Sequence, residues 1–309
     1  MSEIHHDALW RAFPKTLPEF ETRFPDEEAC LTYWLELRWN GRPCCARCGS
    51  DRVWRLARRA LFECADCRHQ TSATSGTLLE GTRKPLKTWF RAVLEMTVRR
   101  NGVSAKDLQR IMGFGSYETA WTWLHKIRRG LLSEDREPLD AAIQLDESFT
   151  GKGLLQSMIF VGAEVGARIR MAHAPNNDEK TMKAFVDHEI AETAKITTDG
   201  LATYNAKVLG KRKHEMVVQT PAERANDDAL QSCHWAASLL KRWLMGTHHG
   251  AVTPKHLQAY LDEHCFRYNR RKTDGPARLA ARALEGLVSG VPMTMRHLVD
   301  ATRECRMFA

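Results

Sequence analysis

The chain has 309 residues, 43% hydrophobic and 27% charged, with 46 Lys+Arg against 38 Asp+Glu and a formal net charge of +8. That balance excludes a disordered polymer, and the length predicts roughly two domains of about 150 residues each. No stretch approaches about 18 consecutive apolar residues, because the most apolar run, LLQSMIFVGAEVGA, is interrupted by Gln156, Ser157 and Glu164, so no membrane span is expected.

At the N-terminus, MSEIHHDALW lacks a basic stretch followed by an apolar one, which predicts no secretory signal and a reducing, cytoplasmic setting. A helix is predicted from Asp26 to Trp39, with Cys30, Leu31, Trp34, Leu35 and Leu37 inward. Asp26, Glu27 and Glu28 would sit in its first turn, where the helix dipole favours acids.

Nine cysteines are present, and five fall between positions 44 and 67. Cys45 with Cys48 and Cys64 with Cys67 form two C-x-x-C knuckles, the spacing of a four-cysteine zinc ribbon. Such a site is structural, since four protein thiolates leave no open position on a Zn²⁺ ion. Cys44 offers an alternative C-x3-C register, and Cys45 is preferred because it keeps both knuckles symmetric. Val53 to Phe62 are expected to form the intervening strand pair, and Gly49 supplies positive φ.

Residues 81–130 hold 11 Lys+Arg against 3 Asp+Glu, a surplus equal to the net charge of the whole chain. Charge concentrated in this way is the footprint of a phosphate-binding surface, and double-stranded DNA is the expected partner. The segment reads as three helices: one opening at Pro85, one capped by Ser104 and running to about Met112, and one from about Tyr117 to Leu131. The second and third, separated by Gly113 to Ser116, have the shape of a helix-turn-helix. Ser116, Tyr117, Thr119 and Thr122 would then open the recognition helix. Lys126, Arg128 and Arg129 would lie near phosphates, and their neutralisation would flatten the salt dependence of binding. In the core, Trp89, Val93, Leu108, Ala120, Trp121 and Leu124 are expected.

From Leu139 the pattern becomes strands. AAIQLDESFTG reads as a strand ending in Asp146 and Glu147, SMIFVGAEV and ARIRMAHA as two more, then a helix carrying Met182, Phe185 and Val186, then a short strand AKITTDG ending at Asp199. This is the order of a ribonuclease H-like fold, in which the first and fourth strands are neighbours. Asp146 and Asp199 would meet despite their separation in sequence. Two such carboxylates suit Mg²⁺ or Mn²⁺ and an in-line phosphoryl displacement.

The stretches RWNGRPCCARCGS, ECADCRHQTSATSGT, QLDESFTGKG, TTDGLATY, LLKRWLMGTHHG and HLQAYLDEHCFRYNRR together resemble the bacterial insertion-sequence transposases of the DDE superfamily. In these an N-terminal zinc ribbon and a helix-turn-helix precede a ribonuclease H-like catalytic domain. The resemblance implies cleavage at inverted-repeat ends and strand transfer, with divalent metal on acidic residues, Asp146 matching the first catalytic Asp and Asp199 the second. At the third position, where many relatives carry Glu or Asn, the alignment places His234, with Gln231 as the alternative. His234 and Lys241 are seven residues apart, on one helix face, putting an imidazole near the metals and an ammonium near DNA phosphate. Arg270 and Arg271, with Arg267 and Asn269, form a further basic cluster after a helix from Pro254 to Phe266, for contact with DNA. Asp227 and Asp228 read as caps of the helix that follows them.

The expected architecture is a multidomain α/β chain. It comprises a helical segment and zinc ribbon at 1–80, a helix-turn-helix at 81–137, a ribonuclease H-like five-stranded mixed sheet flanked by helices at 138–275, and a helical tail at 276–309. Joining two element ends implies at least a dimer on DNA, and a nucleoid-associated location follows. The competing functions are a catalytically inactive zinc-ribbon and helix-turn-helix DNA-binding protein, and a ribonuclease H-like nuclease without strand transfer.

Overall fold

The computed structural model describes residues 13–56, 60–132, 136–151, 156–272 and 275–300. The N-terminal dodecapeptide, the middle of the predicted strand pair at 57–59, and the end of the tail at 301–309 lie outside the described residues. The chain divides into two compact units. One is drawn from the described residues up to 132 together with those between 272 and 299, the other from those between 136 and 271.

In the first unit, α1 (Leu17–Arg23) and α2 (Glu27–Trp39) begin at side-chain caps, Thr16 and Asp26, whose oxygens accept from Glu19 and Ala29 N–H. The zinc-ribbon sheet follows as β1 (Val53–Arg55), β2 (Leu61–Cys64) and β3 (Gln70–Ser72), antiparallel throughout. Three helices come next: α3 (Leu86–Val98), α4 (Ala105–Met112) and α5 (Tyr117–Gly130). The first acid of α2 does more than favour its own dipole: the Glu27 carboxylate accepts from the N–H groups of Leu86 (2.7 Å) and Lys87 (2.9 Å), capping α3, for which Pro85 offers no side-chain cap. Phe24, Tyr33 and Phe90 pack edge to face between these helices, with centroids 5.1–5.7 Å apart.

Four residues, Gly113 to Ser116, join α4 to α5, with Gly113 left-handed (φ 64°) and Ser116 capping α5, so the helix-turn-helix shape is present. Its core differs from expectation in one ring and at Ile111, which the helical pattern of the sequence places inward with Leu108. Trp123, not Trp121, is buried, stacking on Trp89 at 3.5 Å between centroids, while Trp121 is half-buried and Ile111 exposed.

The residues expected to form a separate tail pack back into this unit. Helix α11 (Pro276–Ser289) lies against α2, α3 and α5, burying Ala280, Ala283, Leu284 and Leu287, and a short α12 (Met295–Asp300) follows. The alanine stripe lets the helices approach closely. A Cβ on Gly286 would stand 1.6 Å from the Gly130 carbonyl oxygen, a backbone atom that only separation of the two helices could move. Gly286→Ala is therefore expected to destabilise this unit by about 3 kcal/mol, the upper end for overpacking, read as a lowered midpoint in thermal unfolding. An unchanged midpoint would refute the close crossing.

The second unit is a five-stranded mixed sheet in the order β6-β5-β4-β7-β8. It is formed by β4 (Ala142–Thr150), β5 (Ser157–Glu164), β6 (Ile169–Ala174), β7 (Lys195–Thr198) and β8 (Lys213–Met216). Strands β4 to β6 form an antiparallel meander, and β7 lies parallel to β4 after α6 (Glu179–Glu189), as the ribonuclease H-like order requires. A short α7 (Ala206–Leu209) leads to β8, and α8 (Pro221–Asn226), α9 (Gln231–His248) and α10 (Pro254–Asn269) complete the unit.

Strand alternation divides the core in two. Ile143, Leu145 and Phe160 face Met182, Phe185 and Val208 on one side, while Ile159, Val161 and Ala163 face Cys233, Leu240 and Leu261 on the other. Strand β4 does not end at its acids, as expected, but continues to Thr150, because every residue from Ile143 to Thr150 is paired with β5. Helix α10 likewise runs to Asn269, three residues beyond the predicted Phe266. Among the described residues, no helix is long and apolar enough to cross a membrane.

Candidate functional site

The ribbon brings its four thiols together. Cys45, Cys48, Cys64 and Cys67 have sulfur atoms all within 4.8 Å of one another, with Cys45 to Cys67 and Cys48 to Cys64 both at 3.6 Å. Sulfurs around a tetrahedral Zn²⁺, with bonds of about 2.3 Å, stand about 3.8 Å apart, so the donor set and its size fit that ion. Cys44 is exposed and outside the cluster. Each knuckle turns its amides onto a thiol. The backbone N–H of Cys48, with that of Arg47, draws Cys45 down to about 6 against desolvation, and the N–H of Cys67 lowers Cys64. Gly49, at φ 73°, lets the first knuckle close, its N–H donating to the Cys45 carbonyl.

In the second unit the parallel ladder of β4 and β7 ends at Gln144↔Thr197, two residues before Asp146 on one strand and Asp199 after the other, and the Asp199 charge acts on Asp146. Burial, with the neighbouring Asp199 charge, raises the Asp146 carboxyl above its ordinary range, against the pull of His234. Across from them stands His234 in the first turns of α9, its Nε2 3.3 Å from Asp146 Oδ2. Asp146, His234 and Lys241 line one cleft of about 460 Å³ with Glu147, Ser148, Arg224, Ala237 and Ser238. The spacing of His234 and Lys241 does place both on the cleft face of α9. Lys241 also borders a second, more apolar cavity with Phe149, Met245, His249 and Gly250.

Helix α9 is fixed to β4 by the residue two before Asp146. Gln144 Oε1 accepts from Ser232 N–H at 2.8 Å, and its carbonyl accepts from the Cys233 thiol at 3.2 Å. The start of α9 therefore cannot slide along the strand that carries Asp146. Glu147 borders the same cleft, and burial pushes its carboxyl up to about 7 beside Tyr204. Among the described residues the cysteines alone offer three or more ligand atoms within 4.8 Å of one another, so Asp146, Asp199 and His234 are adjacent but not drawn to that spacing. Two hard carboxylates with an imidazole still suit Mg²⁺ or Mn²⁺. The 3.3 Å between His234 and Asp146 approximates the separation of about 3 Å between cis ligands with bonds near 2.1 Å.

Two residues of this site were not read from the sequence as belonging to it. Arg224, on the short α8, supplies a second cation to the cleft. Asp227 and Asp228 do not cap α9, whose N-cap Leu230 has no side-chain cap: Asp227 ends α8, and Asp228 Oδ1 accepts from Leu230 N–H at 3.1 Å in the turn before α9, while its Oδ2 lies 2.6 Å from His234 Nδ1. A separation of six residues is no helical repeat, so no periodicity signals that pair.

The predicted DNA contacts divide. Ser116 is spent on capping, its Oγ accepting from Thr119 N–H at 3.2 Å, and Thr119 Oγ1 lies 3.0 Å from it. Tyr117 is exposed, and Thr122 half-buried. Lys126 and Arg128 correct the expectation that they meet phosphate: Arg128 is 1% exposed, and Lys126 Nζ donates to the Leu78 carbonyl at 2.8 Å. The later turns of α5 are packed on all sides, so a basic sequence there faces protein. Arg129 is half-buried. The exposed cations of the basic segment are Arg83, Lys84, Arg99, Arg100, Lys106 and Arg110. Arg271 donates to the Gly166 and Ala167 carbonyls, and the Arg270 guanidinium lies 4.2 Å from the Phe266 ring centroid, so both help hold the second unit.

Known proteins resemble the modules that hold both centres. Residues 144–269 match the ISXO2-like transposase domain, and residues 25–70 match the transposase zinc-ribbon domain. A relative from Halobacterium salinarum, described as an uncharacterized protein in transposable element ISH50, is 24% identical over 291 residues, covering 84% of this chain and 96% of its own. The cysteine knuckles and the acid-bearing sheet each lie within a transposase module, and the chain belongs to the insertion-sequence transposases that combine a zinc ribbon with a DDE-type domain.

Proposed function

We propose that this protein cleaves DNA at the ends of an insertion element and transfers the freed strands to a target. The observation carrying this reading is the placement of Asp146 and His234 at one cleft with Glu147, Arg224 and Lys241, and of the Asp199 charge beside Asp146. Asp146 and Asp199 would hold Mg²⁺ or Mn²⁺, with His234 in the third position. The bound ion supplies Lewis acidity for in-line displacement at phosphorus. Lys241 and Arg224 orient the scissile phosphate by its charge, and the packed start of α9 holds His234 against Asp146 so that no rearrangement precedes reaction. Zn²⁺ on Cys45, Cys48, Cys64 and Cys67 is structural.

The test is nicking of DNA carrying the element's terminal repeats in Mg²⁺ or Mn²⁺, comparing the protein with Asp146→Ala and Asp199→Ala. Equal products from all three would identify a DNA-binding protein without this chemistry. Hydrolysed ends that never join a target would identify a nuclease. Simultaneous capture of two ends implies at least a dimer on DNA, and a nucleoid location follows from that partner.

End recognition is assigned to the helix-turn-helix, with Tyr117, Thr119 and Thr122 toward bases and exposed cations on phosphate. Lys106 and Arg110 on α4 replace Lys126 and Arg128 in that role. The double substitution Lys106→Gln with Arg110→Gln should reduce the slope of log affinity against log salt by about 2, one per lost phosphate contact. Lys126→Gln should leave the slope alone and lower stability. Fluorescence anisotropy at several salt concentrations decides, and the reverse pattern would return the phosphate contacts to α5.

A further inference from the structure

The geometry points to Asp228 as a positioning residue that fixes the tautomer and direction of His234, leaving its Nε2 lone pair aimed at the metal side of the cleft. The inference rests on the reading of Asp146 and His234 as neighbours at a catalytic metal.

His234 lies between two carboxylates, its Nδ1 2.6 Å from Asp228 Oδ2 and its Nε2 3.3 Å from Asp146 Oδ2. A carboxylate is an acceptor, so the short contact requires a proton on Nδ1. In the neutral ring the other nitrogen then carries a lone pair, which faces a second acceptor, Asp146. Two acceptors this close call for a cation between them, either a proton on Nε2 or a metal ion shared by both groups. A histidine that ligates a metal commonly donates its remote N–H to a carboxylate, which locks the ring and raises its basicity.

The carboxylate is itself held. Its Oδ1 accepts from Leu230 N–H, so the two oxygens have separate partners and the group cannot rotate away from the ring without losing that bond. The turn that bears it is clamped from both ends by one side chain: Gln219 Nε2 donates to the Asp227 carbonyl at 2.5 Å, and Gln219 Oε1 accepts from Ala229 N–H at 2.9 Å. On the far side, Gln144 ties Ser232 and Cys233 to β4. The imidazole thus sits between a turn and a strand that are each pinned. Closing the turn needs only the first oxygen. The second points at the ring.

Asp228→Asn separates the two roles. Its amide oxygen must stay on Leu230 N–H, since the NH₂ group cannot accept, which turns the amide N–H toward His234 Nδ1. That nitrogen must then accept, and the ring proton moves to Nε2, where it blocks a metal. The probe is the full-length protein with its zinc, ¹⁵N-labelled at histidine. Of the 13 histidines, the His234 signals are identified by their loss in His234→Gln. At about pH 8.5, above the ordinary imidazole range, the ¹⁵N shifts should show a protonated Nδ1 in the parent protein and a protonated Nε2 in Asp228→Asn. Binding of Mn²⁺ alone, followed by electron paramagnetic resonance, should weaken roughly 10- to 100-fold in Asp228→Asn.

A parent protein whose only ring proton is on Nε2 overturns the inference without recourse to any variant, so it stands or falls even if Asp228→Asn does not fold, whereas a ring protonated at both nitrogens still has the Nδ1 proton that Asp228 requires and supports it. A variant with unchanged tautomer and unchanged Mn²⁺ affinity overturns it as well. A parent protein with the proton on Nδ1 that binds no Mn²⁺ at this cleft supports the hold of Asp228 on the ring, and overturns instead the reading of the cleft as a metal site.

Discussion

Removal of the ribbon's metal is expected to unfold residues around 45–72 and to abolish specific DNA binding, while the acid-bearing sheet keeps its fold. The ribbon strands have three, four and three residues, and their largest buried side chain is Phe62. So little apolar surface cannot offset the entropy of ordering the segment, whereas a structural zinc contributes about 10–16 kcal/mol of apparent binding energy that is available only to the folded ligand set. Chelation should therefore remove one cooperative transition from a thermal melt and leave the other. Cys64→Ser should do the same without chelator, since Cys64 is buried in the ligand set with its sulfur 3.6 Å from that of Cys48. Retention of both transitions in metal-free protein would show that the cysteines pack without an ion.

The second large effect is expected at the acids. Asp146→Ala or Asp199→Ala should each lower metal-dependent strand cleavage by roughly a thousandfold or more, the scale of losing electrostatic stabilisation at a phosphoryl centre. Folding should survive. Burial raises the Asp146 carboxyl, with the Asp199 charge beside it adding to the rise, so this pair is a cost to the native state in the absence of a cation. Each alanine variant should accordingly unfold at the same or a higher temperature than the parent protein in metal-free buffer, and lose the stabilisation that added Mn²⁺ confers on the parent. Lower stability in both variants would mean that the carboxylates serve the fold. Cleavage within tenfold of the parent would mean that they do not serve the chemistry.

Much of this organisation is legible locally. The two C-x-x-C knuckles needed only their spacing, because a tetrahedral thiolate site imposes one. The cap Ser104 was legible because a helix start is a local hydrogen-bonding problem, and the strand succession from Ala142 to Thr198 because alternation and turn residues are local too. From that order the adjacency of Asp146 and Asp199 followed, since a parallel crossover leaves few placements for the fourth strand. His234 with Lys241 was legible from helical periodicity.

What the chain did not reveal locally is where each charge points. Lys126 and Arg128 belong to the most basic stretch, yet the packing of α5 buries both, and burial of a cation depends on what packs over it rather than on its neighbours in sequence. Residues 276–289 carried no chemistry as a tail, but the Gly130 and Gly286 contact makes them part of the first unit's core. Asp228 read as a cap, yet α9 has no side-chain cap; one of its oxygens closes the turn before the helix on Leu230 N–H, and the other reaches His234 only because the turn at Ala229 and Leu230 folds six residues into contact. The sequence by itself determined which modules exist and which acids would meet, because periodicity and ligand spacing act over a few residues. Only the tertiary structure decided which cations remain exposed and how the histidine is held, because those depend on contacts between residues that no local period relates.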